Sequence, residues 1–128
     1  MTTAIQCEHD LFCGVNTPMD IDNMTDLEKK HLPVITAPKS VRKDERFEVM
    51  IEVGKHMAHP NEPGHFIDFI ELYADDTYLA RLDLTAKMTQ PIMRMWVCLS
   101  HIHDCLRAFA HCNIHGTWEG RAKIEVLS

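Results

Sequence analysis

The chain has 128 residues, a net charge of −6, 45% apolar and 25% charged side chains, which is the composition of one globular domain large enough to bury a core without disulfide staples. The acidic balance argues against nucleic-acid binding, which needs a basic face, and no apolar run reaches the length of a membrane span. Five cysteines cannot all pair internally, and without a basic-then-apolar leader pattern the expected compartment is the cytoplasm, where thiols and metal ligation are expected over disulfides.

Residues 1–26 read as an irregular N-terminal arm, mixing Thr, Asp, Asn and Met without a sustained period. Cys7 and Cys13 lie there with neither a Cys-x-x-Cys pair nor further ligands nearby, as incidental thiols. Residues 27–128 read as one β domain. Leu32–Ala37 is a short strand cut by Pro38. Arg46–Gly54 alternates, with Phe47, Val49, Ile51 and Val53 on one face and Glu48 and Glu52 on the other. The segment holding His56, His59 and His65 is punctuated by Pro60, Pro63 and Gly64 and so reads as a loop. Phe66–Tyr73 is a strand, with Ile67, Phe69 and Glu71 opposite Phe66, Asp68, Ile70 and Leu72. Asp75-Asp76 turns into a strand over 77–84, another runs over 92–99, and Cys105–Cys112 leads into the loop at 112–116. Ala122–Leu127 closes the chain. These are about seven strands with no convincing helix, and the expected fold is all-β: an immunoglobulin-like antiparallel β-sandwich. Cys98 and Cys105 are expected as small buried residues.

Nine histidines are many for this length. His9, His56, His101, His103 and His111 read as surface or packing residues; His111 adjoins Cys112, and strand neighbours face opposite ways. His31, His59, His65 and His115 differ, because each stands at a strand end or loop beside a Pro or Gly, where ligands from distant sequence can converge. Cys112 and His115 have a metal-ligand spacing. Four imidazoles and a thiolate are too many for a closed tetrahedral zinc site. They suit an ion of square-pyramidal or octahedral preference with one open position, and an electron-rich thiolate favours a redox centre. The chemistry points to non-haem iron handling a small oxygen species. A copper electron carrier would want two histidines, a cysteine and an axial methionine, and no Met follows Cys112. A structural zinc site or an interaction module would leave the His59–His65 spacing unexplained.

The pieces Lys30-His31-x-Pro33-x-Ile35, His59-Pro60-x4-His65, Ile70-Glu71-Leu72 and Cys112-Asn113-x-His115-Gly116-x-Trp118-Glu119 resemble those of the superoxide reductases, the neelaredoxin or desulfoferrodoxin-like family. The resemblance covers about residues 28–127. It implies one ferrous/ferric iron per chain, with His31, His59, His65 and His115 as equatorial ligands and Cys112 axial, opposite the open site. It also implies the one-electron reduction of superoxide, in which superoxide, an electron and two protons give hydrogen peroxide. The electron comes from an external donor, in the family commonly rubredoxin, and the one-iron forms are often homotetramers. Cys7 and Cys13 cannot supply the four cysteines of the family's second iron site, so a one-iron form is expected.

Lys30 stands where the family keeps a lysine next to the first ligand. Its ammonium, with Lys29 beside it, would attract the anion against the acidic whole and orient the proton-donating water. The family pattern has Glu-Lys-His, with the glutamate as sixth ligand of oxidised iron; here Lys29 takes that place and Glu28 is one further back. A one-residue shift in an extended segment reverses side-chain direction. Glu28 is therefore a candidate sixth ligand whose reach depends on the local backbone, with water or hydroxide in its place otherwise.

Overall fold

A computed structural model describes residues 14–128. Along the chain run α1 (Asp26–His31), β1 (Pro33–Thr36), β2 (Ser40–Arg42), β3 (Arg46–Val53), β4 (Ile67–Ala74), β5 (Thr77–Asp83), β6 (Ile92–Cys98), β7 (Cys105–Cys112), β8 (Gly116–Lys123) and β9 (Glu125–Leu127). A three-stranded sheet, β1-β3-β6, faces a four-stranded sheet, β5-β4-β7-β8, while β2 and β9 form a parallel pair. The two main sheets are antiparallel throughout. The core between them is apolar: Val49, Ile51, Ile70, Leu72 and Leu106 are fully buried.

The alternation in β3 holds as expected: Phe47, Val49, Ile51 and Val53 are buried and the residues between them are not. In β4 the phase differs from the sequence reading. Ile67 faces the core together with Ile70, Leu72 and Ala74, because Ile67 pairs with Cys112 and Phe69 with His111. Asp68 is the extra residue of a bulge, which resets the two-residue period. Among the described residues there are nine strands, against the expected seven or so. The three-residue β2 is too short to show a period, and β8 begins at Gly116, where the sequence reads as loop. Cys105 is buried as expected, but Cys98 is exposed, since it ends edge strand β6 on the solvent-facing parity.

The segment expected to be extended after Asp26 is instead a helical turn and a half. Thr25 and Glu28 form a capping box: the Thr25 hydroxyl accepts from the Glu28 amide at 3.2 Å and the Glu28 carboxylate accepts from the Thr25 amide at 2.9 Å. Asp26 and Glu28 occupy the first turn and Lys29, Lys30 and His31 the last, the charge order that the helix dipole favours. A six-residue helix is too short for a 3.6 period to stand out, which is why it was not read from the sequence.

Registers place one end of the sandwich. Pro33 at the start of β1 pairs with Val53 at the end of β3. Ile67 at the start of β4 pairs with Cys112 at the end of β7, and Cys112 pairs with Gly116 at the start of β8. The C-terminus of α1, the loop over 54–66 that crosses between the sheets, and the β7–β8 turn therefore meet at one end. The edges β1 and β8 approach closely there, because a methyl group on Gly120 would overlap the Pro33 carbonyl oxygen. Of the arm, Asn16 bridges to β8: its amide donates to the Thr117 carbonyl at 2.8 Å, and its carbonyl accepts from the Glu119 amide at 2.9 Å. Cys7, His9 and Cys13 lie outside the described residues.

Candidate metal centre

Three local structures deliver the donor groups. His31 is the last residue of α1, and its Nδ1–H donates to the Leu27 carbonyl one turn back at 2.7 Å. The loop over 54–66 starts at Gly54, whose φ of +88° and a Cβ position 2.9 Å from the His59 amide nitrogen both require glycine. His59 donates from Nδ1 to the Pro60 carbonyl at 2.6 Å. Asn61 ties the loop down, donating to the Thr89 carbonyl at 2.9 Å and accepting from the Lys87 amide at 2.8 Å. His65 closes a four-residue turn with Glu62 through reciprocal backbone bonds of 2.9 and 3.0 Å. Cys112 ends β7 fully buried in the core. A three-residue turn carrying His115 then closes at Gly116, with φ +79°.

The ligand atoms of His31, His59, His65 and Cys112 all lie within 4.8 Å of one another. Donors about 2.0–2.3 Å from a common ion stand at most about 4.6 Å apart, so the spread is within a few tenths of an ångström of one coordination shell. His115 abuts the group: its ring centroid is 5.0 Å from those of His31 and His65, and its Nδ1 is 3.8 Å from the Cys112 sulfur. A carbonyl can only accept, so His31 and His59 carry their protons on Nδ1 and present lone pairs at Nε2. Those two Nε2 atoms face each other at 3.1 Å, and the buried Nε2 of His65 has no hydrogen-bond partner among the described residues. Lone pairs converging without protons between them suit a cation, and the four imidazoles and thiol match a transition ion of mixed nitrogen and sulfur preference. Burial favours the neutral, ligating form of His31, His59 and His65. It pushes the His59 imidazole down to about 4, against the pull of the Pro60 bond and with help from the neighbouring histidines. Burial also lowers His31 and His65.

His111 points away, to the outer face of the four-stranded sheet, where its ring stacks on Phe69 at 5.1 Å and its Nδ1 contacts the Asp68 carboxylate at 2.6 Å. His56, His101 and His103 are exposed. Lys30 is half-buried in the last turn of α1, and its positive field helps to lower His31 and His65. The Glu28 carboxylate is held by two backbone amides, those of Thr25 at 2.9 Å and Met19 at 3.1 Å, and these bonds hold it below the usual carboxylate range.

Two supporting residues have no role assigned from the sequence, although Trp118 stands in the motif at 112–119. Trp118 lies 4.9 Å from His31 in a near-parallel stack, and its indole N–H donates to the His115 carbonyl at 3.1 Å. It touches two of the histidines from a buried position. Asn16, in the arm, also reaches the turn, donating to the carbonyls of Thr117 at 3.0 Å and His115 at 3.4 Å. A buried aromatic at the start of a strand is a recognisable signal; an isolated Asn in an irregular arm is none.

A family model described as desulfoferrodoxin matches residues 23–121. A protein of Methanocaldococcus jannaschii is 42% identical over 115 residues, covering 88% of this chain and 95% of its own. The superoxide reductase of Pyrococcus furiosus is 33% identical, covering 76% and 90%. Among solved structures, the superoxide reductase (neelaredoxin) from Ignicoccus hospitalis superposes with a TM-score of 0.77 at 31% identity, covering 89% of this chain and 96% of that one.

Proposed function

The chain belongs to the desulfoferrodoxin family, and from that premise we infer that it is a superoxide reductase whose metal centre is built from His31, His59, His65, His115 and Cys112. The observation that carries the assignment is the convergence of the donor atoms of His31, His59, His65 and Cys112 within 4.8 Å, with Nε2 atoms that find no hydrogen-bond donor among the described residues; His115 joins them, its Nδ1 3.8 Å from the Cys112 sulfur. Iron is the ion we assign: five protein donors with one soft sulfur leave a sixth position for substrate. Held by these residues, iron would supply the single electron needed to reduce superoxide, with two protons, to hydrogen peroxide.

The protein's part is electrostatic and geometric. Lys30, beside His31, would draw the anion toward the site against a chain of net charge −6, a role supported by its field at His31 and His65. Its N–H groups can orient the water that delivers protons. Cys112 sits at the fully buried end of β7, so its sulfur is shielded from solvent and would be held in place as a ligand by the core around it. Glu28 enters the proposal as a carboxylate that reaches the open position only by releasing the amides of Thr25 and Met19. The electron is restored by an external donor protein of the rubredoxin kind. We assign the chain to the cytoplasm and to a homotetramer, both by family likeness; among the described residues, no helix is long and apolar enough to cross a membrane.

Metal analysis with visible spectra of the reduced and oxidised protein tests this reading. The expected result is about one iron per chain, nearly colourless when reduced and coloured by sulfur-to-iron charge transfer when oxidised, with superoxide consumed at the expense of the reduced form. Cys112→Ser should abolish the colour and most of the activity. Intact colour in that variant places the sulfur ligand elsewhere, and zinc alone with no colour after iron reconstitution removes the catalytic reading.

A further inference from the structure

The backbone ladder between β4 and β7 ends at the Ile67–Cys112 pair, one residue short of the turn that carries His115 and two short of His65. Beyond it the two ligand-bearing loops are joined by Asn113. Its amide N–H donates to the Phe66 carbonyl at 3.2 Å. Its side chain accepts from the Phe66 amide through Oδ1 at 2.9 Å and donates through Nδ2 to the Gly64 carbonyl at 3.1 Å. Gly64 and Phe66 are the two neighbours of His65, and Asn113 is itself the neighbour of Cys112. We propose that Asn113 is a positioning residue: it grips the chain on both sides of His65 and so sets that imidazole against the Cys112 sulfur.

The side-chain chemistry matches this task. Holding an amide and a carbonyl of the same loop requires an acceptor and a donor on one short side chain, which Asn provides and neither Asp nor Ser provides at both atoms. The need for such a grip lies in the loop. Reciprocal bonds with Glu62 shape the turn at His65, and Asn61 fastens it to the segment at 87–89, but neither of those bonds refers the turn to Cys112. Among the described residues the buried Nε2 of His65 makes no hydrogen bond, so that atom does not anchor the ring. Its position depends on how its backbone is held.

This inference rests on the reading of the five residues as a metal centre, and cobalt binding to the metal-free protein tests it apart from catalysis. Partners outside the ligand shell typically change metal affinity about ten- to hundredfold when removed. Asn113→Ala should weaken Co2+ binding by about that factor, measured in competition with a chelator, and should change the ligand-field bands. The sulfur-to-cobalt charge-transfer band should persist, since β7 still fixes Cys112. Asn113→Asp keeps the acceptor for Phe66 and sets a carboxylate against the Gly64 carbonyl, so it should also bind cobalt more weakly than the parent. It carries the test if the Ala variant lacks a native circular-dichroism spectrum. Parental affinity and parental ligand-field bands in the folded variants, whatever their melting temperatures, would reduce Asn113 to a loop fastener and overturn the proposal. A parent protein that binds no cobalt overturns the metal centre along with it. A parent that binds cobalt, and loaded with iron leaves superoxide untouched, removes the reductase reading alone.

Discussion

Trp118→Phe isolates one bond at the centre of the site. The phenyl ring can keep the stack on His31, now 4.9 Å between centroids, but it has no N–H for the His115 carbonyl. That carbonyl keeps only the longer 3.4 Å bond from Asn16. Losing a hydrogen bond of this kind costs about 1 kcal/mol. Trp118 is 5% exposed, so the smaller ring also leaves a void, worth about 1 kcal/mol more and well below the roughly 3–5 kcal/mol for removing the whole side chain. The metal-free variant should therefore be about 2 kcal/mol less stable, a fall of about 8 °C in Tm for a domain of this size. Urea unfolding of metal-free parent and variant measures it, with the slope unchanged. A loss below about 0.5 kcal/mol would mean that the indole N–H holds nothing at the β7–β8 turn, and that Trp118 serves His31 by stacking alone.

Lys30→Ile should slow the reaction with superoxide and flatten its dependence on ionic strength while iron stays bound; an unchanged rate at low salt removes Lys30 from the mechanism. Glu28→Ala should lower the stability of the metal-free protein by opening the capping box and leave the absorption of the oxidised form unaltered. A shifted band in the oxidised form would show instead that the carboxylate leaves Thr25 and Met19 to bind the ion. Acid should destabilise the metal-free protein early. His59 is held down to about 4 in the folded state against an ordinary 6.5, with His31 and His65 displaced the same way. Between those values the unfolded chain binds more protons, so stability is full above about pH 7 and falls as the pH drops toward 4. A urea midpoint that stays flat from pH 7 to pH 5 would contradict this. Carboxylates add their losses only at lower pH. Burial raises Glu119, but its bonds to Arg107 and Arg121 outweigh that and hold it below its ordinary range.

The sandwich was legible because β3 carries a clean two-residue period and the other long strands stand between turn signals: β3, β5, β6 and β7 fall within a residue or so of their expected limits. His59 and His65 were legible because Pro60, Pro63 and Gly64 mark their segment as a loop, and Cys112 by its spacing to His115; the structure brings these two histidines, His31 and Cys112 together. What escaped was set by contacts rather than by pattern. The phase of β4 depends on a bulge at Asp68 that only the pairing with β7 reveals. Strand β8 hides behind Gly116 and Gly120, which depress strand propensity, yet Gly120 is required where β1 crosses close to it. The helix α1 is specified by one capping box and by its place at the end of the sandwich. That helix also changes the geometry of Glu28, because residues three apart on a helix share a face, so the alternation of an extended segment does not govern where its carboxylate points.

The arrangement of the site has an energetic consequence. Nε2 atoms of His31 and His59 facing each other at 3.1 Å, and a buried Nε2 of His65 without a partner, are polar groups taken from water and left unpaired, which destabilises the folded chain. Relaxing apart would relieve them, and each is prevented from doing so by bonds made elsewhere. The Leu27 carbonyl fixes the His31 ring, the Pro60 carbonyl fixes that of His59, and the two backbone bonds to Glu62 fix the turn at His65. The scaffold thus carries the cost of bringing the donors together before any ion arrives. An ion that binds the folded form relieves that cost and stabilises the fold by linkage. The same preorganisation explains why the ligands are drawn from the end of the sandwich: strand termini there supply rigid backbone on two sheets, and short turns supply the freedom to aim each donor inward.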